Sequence, residues 1–425
     1  MSSTPAPAQL SRKLSLSDAV VIGLGSMVGA GVFVAFGPAA NAAGNGVLVA
    51  LVIAAIIAYC NAVASAQLAA QYPVSGGTYI YGRERINDWA GFVAGWGFVI
   101  GKTASCTAMS LAFATYAVPN NPGVQRWIAI AAVVALAALN YRGITRTVQM
   151  TRILITMTIT SLVILVIGLI GTGGVDVANI TTSANWENVT LTGILQAAGF
   201  LFFAFAGYAR IATMGEEVKD PEVTIPRAIP LALFLTMAVY AVVGVVILGA
   251  AGPDAIGNSA TPLVTAVHAA DQAWIEPVLR IGAMVASLGA LLGLMAGIGR
   301  TSLAMARHGD LPKQLASIHP KYKVPHIAEV VLAAIVIAIL LIADIRGAIG
   351  FSSFGVLVYY SIANMAAWTQ TGNYRRWPRG LFALGLVGCV TLVVMLPWQS
   401  VVMGLAVYAV GLVVRYVTMS RRAGG

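Results

Sequence analysis

A lysine stands where lipid would ordinarily forbid one. Lys102 lies about 13 residues into an apolar stretch spanning 89–118, beside Thr103, Ser105, Cys106 and Thr107, a depth near the bilayer midplane at about 1.5 Å per residue. An ammonium there is costly and usually functional; it can take up and release a proton or stand in for a bound cation. Arg210 is a second charge inside an apolar stretch. Two irregular segments complete the candidates: Gly25-Ser-Met-Val-Gly-Ala-Gly31 and Phe203-Ala-Phe-Ala-Gly-Tyr208. Where a helix unwinds in lipid, its freed backbone groups become ligands. The N–H groups of Gly29, Ala30 and Gly31 suit a carboxylate, helped by the positive end of the following half-helix. Carbonyls near Phe203, Ala204 and Ala206 suit an ammonium.

No catalytic set competes with these. His268, His308, His319 and His326 are scattered near helix ends and loops, and Cys60, Cys106 and Cys389 all lie in apolar runs. They have no metal-ligand spacing and read as small buried side chains. No nucleophile and base, and no paired carboxylates, occur at depth. The expectation is a chain with no metal, no cofactor and no enzymatic activity.

The elements that must position these residues follow from hydropathy. Of 425 residues, 59% are hydrophobic and only 9% charged, too few charges for the surfaces of soluble domains. Apolar runs long enough to span a bilayer fall at 17–38, 46–71, 89–118, 124–140, 147–172, 193–215, 226–250, 278–304, 326–344, 347–369, 380–397 and 399–418, which predicts an all-α membrane protein of twelve transmembrane helices. The net charge of +10 sorts by side. Only Arg126, Arg280 and Arg346 fall in the outer segments, and nearly all other basic residues collect at the opposite helix ends. That asymmetry places both termini in the cytoplasm and makes the basic residues topology determinants, with no nucleic-acid partner.

Helices one and six carry the two irregular segments, five helices apart and oppositely oriented, as expected for an inverted repeat broken near the midplane. The division is a tail at 1–16, a first five-helix repeat at 17–172, a second, inverted repeat at 193–369, two accessory helices at 380–418 and a tail at 419–425.

The chain resembles the amino acid, polyamine and organocation superfamily, and within it the amino acid permeases. The resemblance rests on four stretches in order: residues 25–33; Tyr72-Pro-Val-Ser-Gly-Gly-Thr-Tyr-Ile-Tyr81; residues 202–208 running on to Gly215-Glu-Glu-Val-Lys-Asp-Pro221 and Ile225-Pro-Arg-Ala-Ile229; and Met305-Ala-Arg-His-Gly-Asp-Leu-Pro312. It implies a LeuT-like five-plus-five fold with substrate held at Ser26, Gly29, Ala30, Gly31, Phe203, Ala204, Phe205, Ala206 and Gly207. By resemblance Phe203 closes over the substrate as an outer gate. Ser26 either adds a hydroxyl contact or bonds its own helix backbone. The paired Gly76 and Gly77 allow a tight turn near a cytoplasmic gate. Glu216, Glu217, Arg307 and Asp310 either latch that gate or form a solvated face.

Three departures from the family sharpen the expectation. No lysine stands near Thr156, where some proton-coupled relatives carry one in helix five. Met295 and Ala296 occupy the helix-eight positions where sodium-coupled members have hydroxyls, and neither supplies oxygen ligands for a hard cation. Arg210 follows the helix-six glycine where several relatives have an acid. It either faces the pathway, favouring neutral or acidic substrates, or pairs with Glu216 or Glu217. The resulting expectation is a secondary active transporter in the inner, cytoplasmic membrane of a bacterium. It moves an amino acid or related amine by alternating access, coupled to protons through Lys102 reaching towards helices one and eight. Exchange on the same site is the alternative, and a gated channel, which would need a continuous polar stripe, is the reading from another class.

Overall fold

The computed structural model describes residues 12–74, 76–143, 148–181, 186, 189–215 and 217–423, without the side chains of 421–423. Among them the regular elements are helical: α1 (Leu16–Met27), α2 (Ala30–Val34), α3 (Phe36–Ala43), α4 (Val47–Gln71), α5 (Thr78–Arg85), α6 (Asp88–Ala117), α7 (Pro122–Tyr141), α8 (Val148–Gly171), α9 (Ala178–Thr181), α10 (Leu191–Phe205), α11 (Ala209–Ala212), α12 (Pro221–Gly257), α13 (Pro262–Ala269), α14 (Glu276–Arg307), α15 (His326–Leu340), α16 (Ile345–Trp368), α17 (Arg379–Met395) and α18 (Trp398–Ala423).

Local chemistry fixes where they begin. Ser15 and Asp18 exchange side-chain and backbone hydrogen bonds in a capping box that starts α1. The Asn121 side chain caps α7, with Pro122 in the first turn, where its missing N–H costs nothing. The Asp344 carboxylate accepts the Gly347 N–H at 2.7 Å and starts α16.

Ten helical stretches among the described residues are long and apolar enough to cross a bilayer, while α15 and α17 are apolar but shorter. At 15 and 17 residues they reach about 22 and 25 Å, against a hydrocarbon core of about 30 Å. The sequence spans 326–344 and 380–397 ran longer because hydropathy continues past the point where the backbone turns. The turn at Leu341 and Ile342 and the extended Leu396 end the two helices.

α6 sits at the centre, packed along α14 and α16. Its small residues permit close approach: a Cβ added at Gly355 would come 2.7 Å from the Gly97 carbonyl oxygen and 2.8 Å from the Gly101 Cα. Close backbone contact of this kind replaces the hydrophobic drive that lipid removes.

The two interrupted helices lie side by side. The first breaks at Val28 (φ −79°, ψ 51°) and Gly29 (φ −97°, ψ −139°), then resumes as α2 and α3. The second tightens rather than parts, passing from α10 through a 3₁₀ turn at Ala206–Tyr208 into α11. At one end of the bundle the strand entering α1 is tied to the strand leaving α11: the Leu14 N–H donates to the Glu217 carbonyl at 3.0 Å, and Lys219 N–H to the Leu14 carbonyl at 2.9 Å. The N-terminal end of the described chain lies there.

Candidate functional site

The carbonyls released at the two breaks are held by three long side chains. The Tyr240 hydroxyl, on α12, lies 2.6 Å from the Met27 carbonyl oxygen and 3.1 Å from that of Ala204. Lys102 Nζ donates to the Ala206 carbonyl at 3.1 Å, and the Tyr360 hydroxyl reaches the same oxygen at 3.4 Å. Lys102 is only 5% exposed, and no carboxylate among the described residues forms an ion pair with it within 4.0 Å. The amine therefore bonds the helix-six turn, and it borders a cavity shared with Gly293 and Gly297 of α14, the expected helix eight. The physical reason is local: the 3₁₀ turn leaves Ala206 with acceptor capacity that an ammonium satisfies.

The other expected residues divide. Gly29, Ala30 and Gly31 are buried, and Gly31 packs so closely on helix six that a Cβ there would lie 2.7 Å from Ala204 Cα and Cβ. Gly207 abuts the Ser26 carbonyl with no room for a side chain. Phe203 and Phe205 are both buried, and Phe205 tilts onto Tyr240 with ring centroids 5.0 Å apart. The Ser26 hydroxyl donates to Ile22 O at 2.8 Å, the self-bonding alternative, while the residue still borders a cavity. Glu216 lies outside the described residues.

Two adjoining cavities lead away from the breaks. One of about 50 Å³ is walled by Phe98, Lys102, Ala206, Gly207, Arg210 and Arg300 with Gly293 and Gly297. The second, about 250 Å³, is bordered by Ser26, Ile22, Arg210 and Gly293 and reaches Leu14 and Glu217 at the terminal end. Arg210 thus lines both. Glu217 forms its ion pair with Arg300 at 3.5 Å while bordering the same cavity as Arg210. A Cβ added at Gly293 or Gly297 meets nothing within 4 Å, so these two glycines border open space.

The loop after α4 turns on Gly76 (φ 127°) and Gly77 (φ 55°), as the paired glycines implied; a Cβ at Gly77 would lie 2.8 Å from the Tyr359 hydroxyl. That turn starts α5, whose Tyr79 and Arg83 converge on Asp310. The Tyr79 hydroxyl donates to Asp310 Oδ2 at 2.8 Å and Arg83 approaches the same oxygen at 3.2 Å. Burial first, and then the Asp310 carboxylate, hold the Tyr79 phenol well above its ordinary pKa, so it stays a donor. Arg415 of α18 forms an ion pair with Asp310 Oδ1 at 3.0 Å, with side chains only 3% and 5% exposed. Trp89 and Phe92 cover its guanidinium at 4.4 and 4.8 Å. Of the expected latch residues, Asp310 is the hub, and no ion pair among the described residues involves Arg307.

Sequence reasoning passed over Tyr240 and Tyr360, because a tyrosine in an apolar run carries no positional signal. It also passed over Glu329, 3% exposed in the first turn of α15. Its Oε2 has no hydrogen-bond partner among the described residues, and Oε1 lies where a Cβ on Gly299 would come within 2.7 Å. An acid inside an apolar span was the available signal. Among the described residues no cluster of three or more histidine, cysteine or acidic side chains is placed to hold a metal ion.

Sequence comparison gives this geometry its lineage. The family model described as amino acid permease matches residues 14–419. An uncharacterized transporter of Mycobacterium tuberculosis is 54% identical over 406 residues, covering 95% of this chain and 91% of that protein. The branched-chain amino acid permease BcaP of Bacillus subtilis is 24% identical over 455 residues, 99% of this chain and 96% of its own. The methylthioribose transporter of the same species is 26% identical over 384 residues, 85% and 79% of the two chains. With a match running from the strand before α1 into α18, this multi-pass membrane protein belongs to the amino acid permease family.

Proposed function

We propose that the protein is a secondary active transporter that carries an amino acid across the cytoplasmic membrane of a bacterium by alternating access, coupled to protons through Lys102. One observation carries the reading. The buried Lys102 ammonium bonds the Ala206 carbonyl at the helix-six break, so a group that gains and loses a proton is joined directly to the backbone that would bind substrate. Protonated, Lys102 holds Ala206 O; deprotonated, it loses the charge that makes that bond strong, and the broken helix is freer to move.

In this reading α15 and α17 complete twelve spans, the chain folds as a LeuT-like five-plus-five inverted repeat divided at the boundaries given above, and both termini are cytoplasmic. The N–H groups of Gly29, Ala30 and Gly31 take the substrate carboxylate, and carbonyls at Phe203, Ala204 and Ala206 its ammonium, once the clamping side chains move. Phe203 serves as outer gate, with Phe205, Gly207 and Ser26 framing the site. Arg210 and Glu217 lie along the inner pathway, and Glu216 is a further gate candidate on sequence grounds alone. The cavities reaching the terminal end support an inward-facing state.

The test is uptake of radiolabelled amino acids by proteoliposomes, with and without an imposed inward proton gradient. Gradient-stimulated uptake is expected for the wild type and its loss for Lys102→Met. Proton-stimulated uptake that survives in Lys102→Met removes the coupling assignment. Wild-type vesicles that accumulate no amino acid remove the transport reading.

A further inference from the structure

We propose that the cavity below the helix-six break selects for negative charge, and that the transported substrate is an acidic amino acid whose side-chain carboxylate is received by Arg210. The inference rests on the transport reading above and deepens it by naming the substrate class.

Three cationic side chains, Lys102, Arg210 and Arg300, share the walls of the 50 Å³ cavity, and no carboxylate among the described residues lines it. The adjoining cavity adds Glu217, whose carboxylate pairs with Arg300 at 3.5 Å and also lies within electrostatic reach of Arg210 without forming an ion pair with it. Lys102 directs one of its three donors to the Ala206 carbonyl. Arg210 is left without an ion pair within 4.0 Å among the described residues while bordering both cavities. Its planar fork of donors matches a carboxylate in two parallel hydrogen bonds.

Like charges gathered along one wall repel one another, the more so where Lys102 is buried and Arg210 half-buried, and an entering anion relieves that repulsion. A lysine-like or arginine-like side chain would add to it, which is how a site rejects the wrong partner. A neutral aliphatic side chain would leave the Arg210 donors unmatched. Gly293 and Gly297 leave open space in the same walls, room for a short side chain ending in a carboxylate. In the transport reading above the α-carboxylate goes to the helix-one amides, which leaves Arg210 for a second acid group.

The full-length protein in proteoliposomes is tested with L-glutamate, L-aspartate, L-leucine and L-lysine, each as labelled substrate and as competitor. Acidic substrates are expected to exceed leucine by about tenfold or more, and lysine to be excluded. Arg210→Gln should lower the glutamate-to-leucine ratio by about tenfold, and Arg210→Lys should retain part of it. Should Arg210→Gln fail to fold, Arg300→Gln is expected to shift the same ratio in the same direction. Transport of leucine or lysine with glutamate ineffective overturns the proposal while sparing the transport reading. A ratio unchanged in folded Arg210→Gln also overturns it. No uptake of any amino acid overturns both.

Discussion

The Tyr240 hydroxyl lies 2.6 Å from the carbonyl of Met27 and 3.1 Å from that of Ala204. One side chain on α12, a helix that kinks only further along at Gly252, therefore spans the two interrupted ones. A single phenolic hydrogen serves two acceptors, so the clamp holds the breaks together without saturating them, which suits a site that must open.

Tyr240→Phe should leave these carbonyls without their buried donor. A loss of about 1–3 kcal/mol is expected from unpaired polar groups, seen as a lower unfolding temperature in detergent. The same variant should alter amino acid uptake more than Thr236→Val one turn away on α12, where the hydroxyl donates to its own helix at 2.8 Å. Equal thermal stability of Tyr240→Phe and wild type would show that the clamp carries no energy.

Gly207 and Gly297 should respond oppositely to the same added methyl. At Gly207 a Cβ runs into the Ser26 carbonyl, and overpacking costs about 1–3 kcal/mol. At Gly297 it meets nothing within 4 Å, and helix propensity favours alanine by about 0.5–1 kcal/mol. Gly207→Ala should unfold earlier on heating, whereas Gly297→Ala should be as stable as wild type or more so. Larger side chains at Gly297, such as Met, should slow uptake while the protein stays folded.

Asp310→Ala strands Arg415, and to a lesser degree Arg83, where α5, α6 and α18 meet. Breaking a buried pair from one side typically costs about 3–5 kcal/mol. Combining it with Arg415→Met, whose thioether suits the Trp89 and Phe92 faces, should recover part of that loss. A double-mutant cycle read by thermal unfolding measures the coupling, and strict additivity would show that the pair carries no coupling energy.

Tyr79 gives this cluster a pH signature. Its phenol pKa is raised by burial and then by Asp310, so the folded state holds its proton more tightly than the unfolded chain. The associated stability is fully present below about pH 10, the ordinary tyrosine value, and is lost as pH rises beyond it. Above that pH the wild type should lose thermal stability faster than Tyr79→Phe. Parallel stability curves would remove Tyr79 as the source.

Hydropathy and glycine spacing are local properties, and they determined what local properties can. They announced a multi-pass helical membrane protein, located the irregular segments near Gly29 and Ala206 and singled out Lys102, because a bilayer penalises any unpaired charge or backbone group wherever the chain leads. Only tertiary structure decided the partners. Lys102 bonds a carbonyl 104 residues away, Tyr240 reaches Met27 across 213, Glu217 forms its ion pair with Arg300, and Arg415 closes on Asp310 from the last helix. Such pairings depend on which helix faces pack together, and neither composition nor periodicity of a single segment encodes that choice.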